Sequence, residues 1–151
     1  MFTGLISAMA PIVSVQQGLQ HALVCLELAD VEFALGDSIA VDGVCITVMH
    51  RQGALFSFQL SPETLACTIA CRYKIGQKVN FERPMQPLGH FNGHLVSGHV
   101  DQTMCCHVVE QCSGYLKIRF SAIDTANLPY LVKKGSICVN GVSLTINEVF
   151  Q

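Results

Sequence analysis

Basic side chains are missing from the first third of the sequence, where Arg51 is the first lysine or arginine. A secretory signal opens on a basic stretch and a mitochondrial transit peptide is rich in arginine, so neither is expected and the chain reads as cytoplasmic. No apolar run approaches the ~18 residues of a membrane span, so no membrane partner is expected. Charge is scarce throughout, at 13% of residues against 50% hydrophobic, roughly half the charge of an average soluble domain. That balance excludes a disordered chain, which needs the reverse. It also leaves a surface short of charge, so apolar patches facing a ligand or another subunit are expected. Nine Lys and Arg against eleven Asp and Glu give a net charge of −2. With no basic cluster larger than Lys133-Lys134, there is no footprint for nucleic acid. Tryptophan is absent. So are the glycine-rich phosphate loops and the GxSxG nucleophile elbow, and no nucleophile–base pair can be read from spacing alone.

Cysteine is abundant, with eight residues, but no CxxC pair occurs and Cys105-Cys106 is adjacent. Without a signal peptide a disulfide framework is not expected, and most of the thiols read as small buried hydrophobes. His90, His94, His99 and His107 lie near Cys105 and Cys106. His94 and His99 are five apart, facing opposite sides of a strand or about 140° apart on a helix. That spacing offers no four-ligand zinc set.

Short strand-like runs punctuated by turns are the main pattern: 22–28, 38–41, 44–49, 54–60 and 78–82, broken by Gly36-Asp37, Asp42-Gly43 and Gly53. Such spacing predicts a small barrel or sandwich. Ser61-Pro62-Glu63-Thr64 reads as a helix start, with Ser61 at the N-cap and Pro62 at the first helical position. Residues 123–132 form a second helical candidate interrupted by Pro129. The Pro- and Gly-rich stretch 84–93 reads as a linker.

An internal repeat organises all of this. Residues 38–48, SIAVDGVCITV, align with residues 136–146, SICVNGVSLTI, with six of eleven positions identical. Each copy reads as strand, DG or NG turn, strand, the signature of a type I′ hairpin. Alternation puts Cys45 and Thr47 on one face, and Ser143 and Thr145 on the equivalent face of the second copy. That face either meets a polar ligand or packs its hydroxyls against backbone, and spacing leaves both open. The first unit ends near Arg83, so its counterpart in the second unit would fall about thirty residues beyond Gln151. The expectation is an N-terminal barrel over 1–86, a linker at 87–93, and an incomplete second barrel over 94–151.

The Gly93-His94-Leu95-Val96-Ser97-Gly98-His99-Val100-Asp101 segment sets two Gly-His pairs around an apolar centre. His99 there is either a structural histidine or a near-neutral acid, base or hydrogen-bond donor. Together with Met1-Phe2-Thr3-Gly4, the DG and NG repeats, Pro62-Glu63-Thr64-Leu65, Val79-Asn80-Phe81-Glu82-Arg83 and Lys134-Gly135-Ser136, this segment resembles the riboflavin synthase family, six motifs in order across the chain. The resemblance implies an all-β fold of duplicated six-stranded Greek-key barrels, a homotrimer, and no metal or redox cofactor. It implies dismutation of two molecules of 6,7-dimethyl-8-ribityllumazine to riboflavin and 5-amino-6-ribitylamino-pyrimidinedione, the last step of riboflavin biosynthesis, between the first barrel of one subunit and the second of its neighbour.

Carried over by motif, the first-barrel pocket is lined by Gly4, Leu5 and Ile6, by Cys45, Ile46 and Thr47, and by Gln59, Leu60, Ser61, Pro62, Glu63 and Thr64, with Phe2 supporting it and Ser38 as a further polar position. The second-barrel side uses Gly98, His99, Val100, Lys134, Ser143, Leu144 and Thr145. The lumazine C7 methyl is acidic because its anion delocalises into the ring, so a base near neutrality and two rings held face to face are enough to start. His99, Ser143 and Thr145 are the candidates for proton handling and for holding a nucleophilic water or hydroxyl, with Ser38 and Cys45 as further reactive-site candidates. The family often has Asp where Asn140 stands, which keeps the turn shape and loses the charge. Two other classes of function compete: a non-catalytic lumazine- or flavin-binding relative, and an inactive fragment of the synthase. Retention of His99, Ser143 and Thr145 favours the enzyme.

Overall fold

Where apolar residues alternate with polar ones, one side of a strand can be dry and the other wet. That pattern builds the first half of the chain. The computed structural model describes residues 1–18, 22–29, 31, 33–86, 88–121 and 123–150. Its first seven strands are β1 (Ala8–Gln17), β2 (Ala22–Glu27), β3 (Ser38–Val41), β4 (Val44–Thr47), β5 (His50–Gln52), β6 (Leu55–Leu60) and β7 (Lys78–Glu82). They form one antiparallel sheet in the order β4-β3-β7-β1-β2-β6-β5. Only Val48 and Met49 separate β4 from β5, so the pair acts as one bent strand bonded to β3 at one end and β6 at the other. The sheet thus closes on itself as a six-stranded Greek-key barrel, and closure leaves no open edge to recruit another chain.

The interior follows the period of two. Val24 and Leu26, Ile39 and Val41, Val44 and Ile46, Phe56 and Phe58, and Val79 and Phe81 are all buried. The rings of Phe33 and Phe56 meet edge to face, centroids 4.9 Å apart. β1 carries Pro11, which disguises it as a loop in the sequence. The strand tolerates the missing N–H because it changes partner there. Residues 8–11 pair with β7, while residues 12–17 pair with β2 past a bulge between Ile12 and Ser14.

Helix α1 (Pro62–Cys67) starts as the sequence predicts, with the Ser61 hydroxyl accepting the Thr64 N–H at 3.1 Å. The second helical expectation fails. Residues 123–132 hold only a 3-10 turn, Leu128–Tyr130. The Asp124 carboxylate accepts the Ala126 N–H at 3.0 Å, a local bond that competes with helix, and Pro129 removes a donor.

The second half holds β8 (Cys106–Cys112) paired with β9 (Tyr115–Phe120), and β10 (Ser136–Val139) paired with β11 (Val142–Thr145). These hairpins repeat β1–β2 and β3–β4, but they are separate two-stranded sheets. In the first half β7 bonds to both β1 and β3 and unites the hairpins; residues 94–150 hold no counterpart of it among those described. Val96 is therefore the one buried hydrophobic side chain beyond Phe81 among the described residues. Val108 and Val109, adjacent and so on opposite faces of β8, are 38% and 61% exposed. No strand occurs among the described residues of 84–93; Pro87, in the expected linker, and Gln151, at the expected end of the second unit, lie outside the described residues.

The cysteine expectation is corrected. All eight are free, none is fully buried, and Cys71, Cys105 and Cys106 are exposed. Four of the eight lie on β8, on its N-terminal flank or on β10, in the half that lacks a closed interior. Among the described residues no helix is long and apolar enough to cross a membrane.

Candidate functional site: a seam between two repeats

Each half sends its leading segment over the other half's hairpin. Phe2 and Val96 pair with each other, Phe2 N–H to Val96 O at 2.8 Å and Val96 N–H to Phe2 O at 3.0 Å. On one side of this crossing the Gly4 carbonyl accepts the Ser143 N–H, and on the other the Gly98 carbonyl accepts the Cys45 N–H, both at 2.8 Å. Cys45 and Ser143 occupy equivalent repeat positions, so the two crossings are related by an approximate twofold axis. Glycine is required at both: φ is +78° at Gly4 and +83° at Gly98. A Cβ at Gly4 would lie 2.7 Å from the Ser143 Cβ, and one at Gly98 2.6 Å from the Cys45 Cβ. The two I′ turns, Asp42-Gly43 and Asn140-Gly141, have the positive φ values that such turns demand and pack backbone to backbone.

The seam gathers polar groups on the outward side of the strands. Nδ1 of His94 lies 2.7 Å from Oγ of Ser143. Thr3 O accepts the His94 N–H at 3.0 Å. Glu82, 4% exposed at the end of β7, accepts three bonds: from the N–H and hydroxyl of Thr3 at 2.6 and 2.7 Å, and from the Gly4 N–H at 3.1 Å. Asn80, also outward on β7, donates its side-chain amide to the Asn140 carbonyl at 2.9 Å.

His94 was read from the sequence as a failed metal ligand and as one half of a Gly-His pair, with no chemical role assigned to it. The signal that marks it is the Gly93-His94 pair: Gly93 packs against the Thr3 carbonyl where a Cβ has no room. His99, the residue singled out from sequence, is exposed, and its backbone N–H bonds to the Ser97 hydroxyl at 3.1 Å.

The other sequence-derived positions fall as follows. Phe2 is fully buried beneath the crossing, and Leu5 is 43% exposed beside it. Cys45 and Thr47 point outward from β4 while Ile46 points into the core. Ser38 pairs with Thr47, and Ser136 pairs with Thr145 in the same register of the second copy. Gln59 faces outward on β6, Leu60 inward, and Ser61 to Thr64 open α1 beyond it. Lys134 is exposed, and its N–H bonds to Ile146 O at 2.7 Å. A cavity of about 600 Å³ is walled by both halves, lined in part by His94, Gly98 and Gly141 of the seam, by Val44 and Ile69, and by His99, Asn127 and Val139. Ser143 itself does not line it, but its partner His94 does, so the cavity opens beside the seam. No three His, Cys, Asp or Glu among the described residues are arranged to hold a metal ion.

Burial shapes the titrating groups. It raises the Asp42 carboxyl above its ordinary range, against the lowering effect of bonds from the Asn80 N–H and the Tyr73 hydroxyl. It also raises Tyr73, helped by the charge of Asp42. The Cys138 thiol is pushed up by burial and by the charge of Glu82, partly offset by the Gly141 N–H. Cys138 thus feels a carboxylate from the other repeat.

The fold and its seam define a class, a duplicated barrel whose halves exchange their leading segments, and the family model for the lumazine-binding domain matches residues 3–84 and 97–151. Riboflavin synthase from Photobacterium phosphoreum is 41% identical, covering 99% of this chain and 69% of that one. The enzyme of the same name from Bacillus subtilis (strain 168) is 40% identical, covering 97% and 68%, and that from Escherichia coli (strain K12) 34%, covering 99% and 71%. Among solved structures, LumP complexed with riboflavin superimposes with a TM-score of 0.86 at 21% identity, over 99% of this chain and 82% of that one. The chain belongs to the riboflavin synthase family of lumazine-binding-domain proteins, and it spans about 70% of the length of these curated relatives.

Proposed function

We propose that the chain catalyses the dismutation of two 6,7-dimethyl-8-ribityllumazine molecules to riboflavin and 5-amino-6-ribitylamino-pyrimidinedione. Family membership supports the reaction, and the observation that carries the chemistry is the 2.7 Å contact between His94 and Ser143. With the proton of a neutral His94 on Nε2, Nδ1 accepts the Ser143 hydroxyl proton and sharpens Oγ as a nucleophile, or as the holder of a nucleophilic water, toward lumazine C7. His99 and Thr145 remain the proposed proton-handling groups for the C7 methyl of the second lumazine. Ser38 and Cys45 hold the polar end of the first-barrel ligand.

The finer reading is two lumazine-binding units, 1–86 and 94–151. The first binds one lumazine along Gly4 to Ile6, Cys45 to Thr47 and Gln59 to Thr64. The second holds the other along Gly98 to Val100, Lys134 and Ser143 to Thr145. The reaction needs no metal or redox cofactor in this reading, because one substrate molecule donates the four-carbon unit that the other accepts. A cytoplasmic homotrimer fits the sparse charge and the apolar side chains exposed on both faces of β8, which need covering. The test is incubation of the chain with 6,7-dimethyl-8-ribityllumazine while following the absorbance and emission of riboflavin. Turnover that falls at least about tenfold in Ser143→Ala supports the reading, a loss of one hydrogen-bonded reacting group. Tight binding of lumazine without turnover assigns the chain to the non-catalytic binders instead.

A further inference from the structure

The backbone partners of the His94–Ser143 pair converge on one side chain. The His94 N–H bonds to the Thr3 carbonyl and the Ser143 N–H to the Gly4 carbonyl. The N–H groups of those same two residues bond to the Glu82 carboxylate. Thr3 and Gly4 therefore stand between a carboxylate of the first repeat and the reacting residues of the second, and the single peptide joining them bonds Glu82 through the Gly4 N–H and His94 through the Thr3 carbonyl. We propose that Glu82 is a positioning residue of the active site, holding Thr3 and Gly4 so that Ser143 and His94 stay within hydrogen-bond reach. The inference deepens the proposed reaction and rests on that reading for its kinetic consequence.

Three features support it. First, Glu82 is buried although it lies on the outward face of β7, where Val79 and Phe81 point in. The segment that covers it is the one it binds. Second, the Thr3 hydroxyl and the two N–H donors between them use both carboxylate oxygens. Charge-assisted bonds of this kind are stronger and more directional than neutral ones, and they polarise the peptides that carry them. Third, the segment has little freedom elsewhere. Ser143 occupies the space beside Gly4, and Gly93 that beside the Thr3 carbonyl, so a shift of Thr3 and Gly4 is transmitted rather than absorbed.

Glu82→Gln keeps the side-chain length but loses the charge, and it sets an amide donor against a backbone donor. The readout is the pair of His94 ring nitrogens in 15N-labelled protein, with Ser143→Ala as the reference for an unpaired ring. Glu82→Gln is expected to move these resonances toward the Ser143→Ala positions and to lower kcat on 6,7-dimethyl-8-ribityllumazine about tenfold. The double variant is expected to turn over no more slowly than Ser143→Ala alone, because both changes remove one interaction. Unmoved His94 resonances in folded Glu82→Gln, or losses that multiply in the double variant, would overturn the proposal. If Glu82→Gln does not fold, Thr3→Val removes one of the three bonds and must shift the same resonances in the same direction; no shift there refutes it equally. If the parent chain turns no lumazine over, the proposed reaction fails, while the His94 resonances still decide the role of Glu82.

Discussion

A single methyl group at Gly98 is expected to unseat one of the two crossings, and its effect can be separated from that of backbone strain. Gly98 and Gly76 share the same φ of +83°, but nothing lies within 4 Å of a Cβ at Gly76. Gly76→Ala therefore carries only the penalty of an L-residue in the left-handed region, about 1–2 kcal/mol. Gly98→Ala carries that and more. Its Cβ would lie 2.6 Å from the Cys45 Cβ and 2.9 Å from the Cys45 nitrogen, closer than side chains pack. Relieving this contact by moving the segment lengthens the 2.8 Å bond from the Cys45 N–H to the Gly98 carbonyl. Overpacking adds about 1–3 kcal/mol and the lost bond about 1 kcal/mol. The total of about 3–6 kcal/mol is a large part of a typical stability of 5–15 kcal/mol. Hydrogen exchange at the Cys45 amide reports the crossing directly, and urea unfolding reports the rest. If both variants lose the same stability and the Cys45 amide stays as protected as in the parent, the crossing is not tight and the reasoning is wrong.

Ser61→Ala removes the acceptor for the Thr64 N–H and should lower stability by about 0.5–2 kcal/mol, with Ser61→Asp restoring most of it; equal melting of the two variants would count against the cap. Because burial raises Asp42, the folded chain holds that proton more tightly than the unfolded one. Its contribution to stability is complete below the ordinary carboxylate value near 4 and fades as pH rises through the raised value. Asp42→Asn should flatten that decline in thermal melts taken upward from about pH 4; a steeper decline in the variant contradicts the assignment. Amides of β8 and β9 should exchange well before those of β2, β6 and β7, which belong to the closed barrel, and matching protection would show that the second half has a core of its own.

Much of the first barrel was legible because its strands obey one rule. Period-two alternation and DG or NG turns located β2, β3, β4, β6, β7 and the two I′ hairpins, and Ser61-Pro62 located α1. Pro11 concealed β1, since the change of partner that makes a proline tolerable there depends on β7, about seventy residues away. Asp124 and Pro129 decided residues 123–132 against helix through local bonds that apolar spacing does not encode. At the seam, Ser143 was marked by the repeat, and His94 was not. The partner of a histidine depends on which segment crosses which, and nothing in a linear spacing of forty-nine residues announces that Nδ1 meets Oγ. Glu82 was quoted within a motif, but its three bonds come from the opposite end of the barrel's sequence.

The last strand of the first barrel is also the one that joins its two hairpins. Ala8 to Pro11 find their partners only in Lys78 to Phe81. A ribosome working at roughly 5–20 residues per second needs several seconds to deliver that partner after β1 has emerged. Until it arrives, the edges of β1 and β3 that β7 will bond have no partner, as the hairpins of the second half have none beyond each other among the described residues. Closure is thus a late, long-range event in synthesis, and topology of this kind slows folding in free solution as well. The nascent chain is most exposed to association with other chains between the emergence of β3 and the emergence of β7, and the pace of translation across residues 42–78 sets how long that exposure lasts.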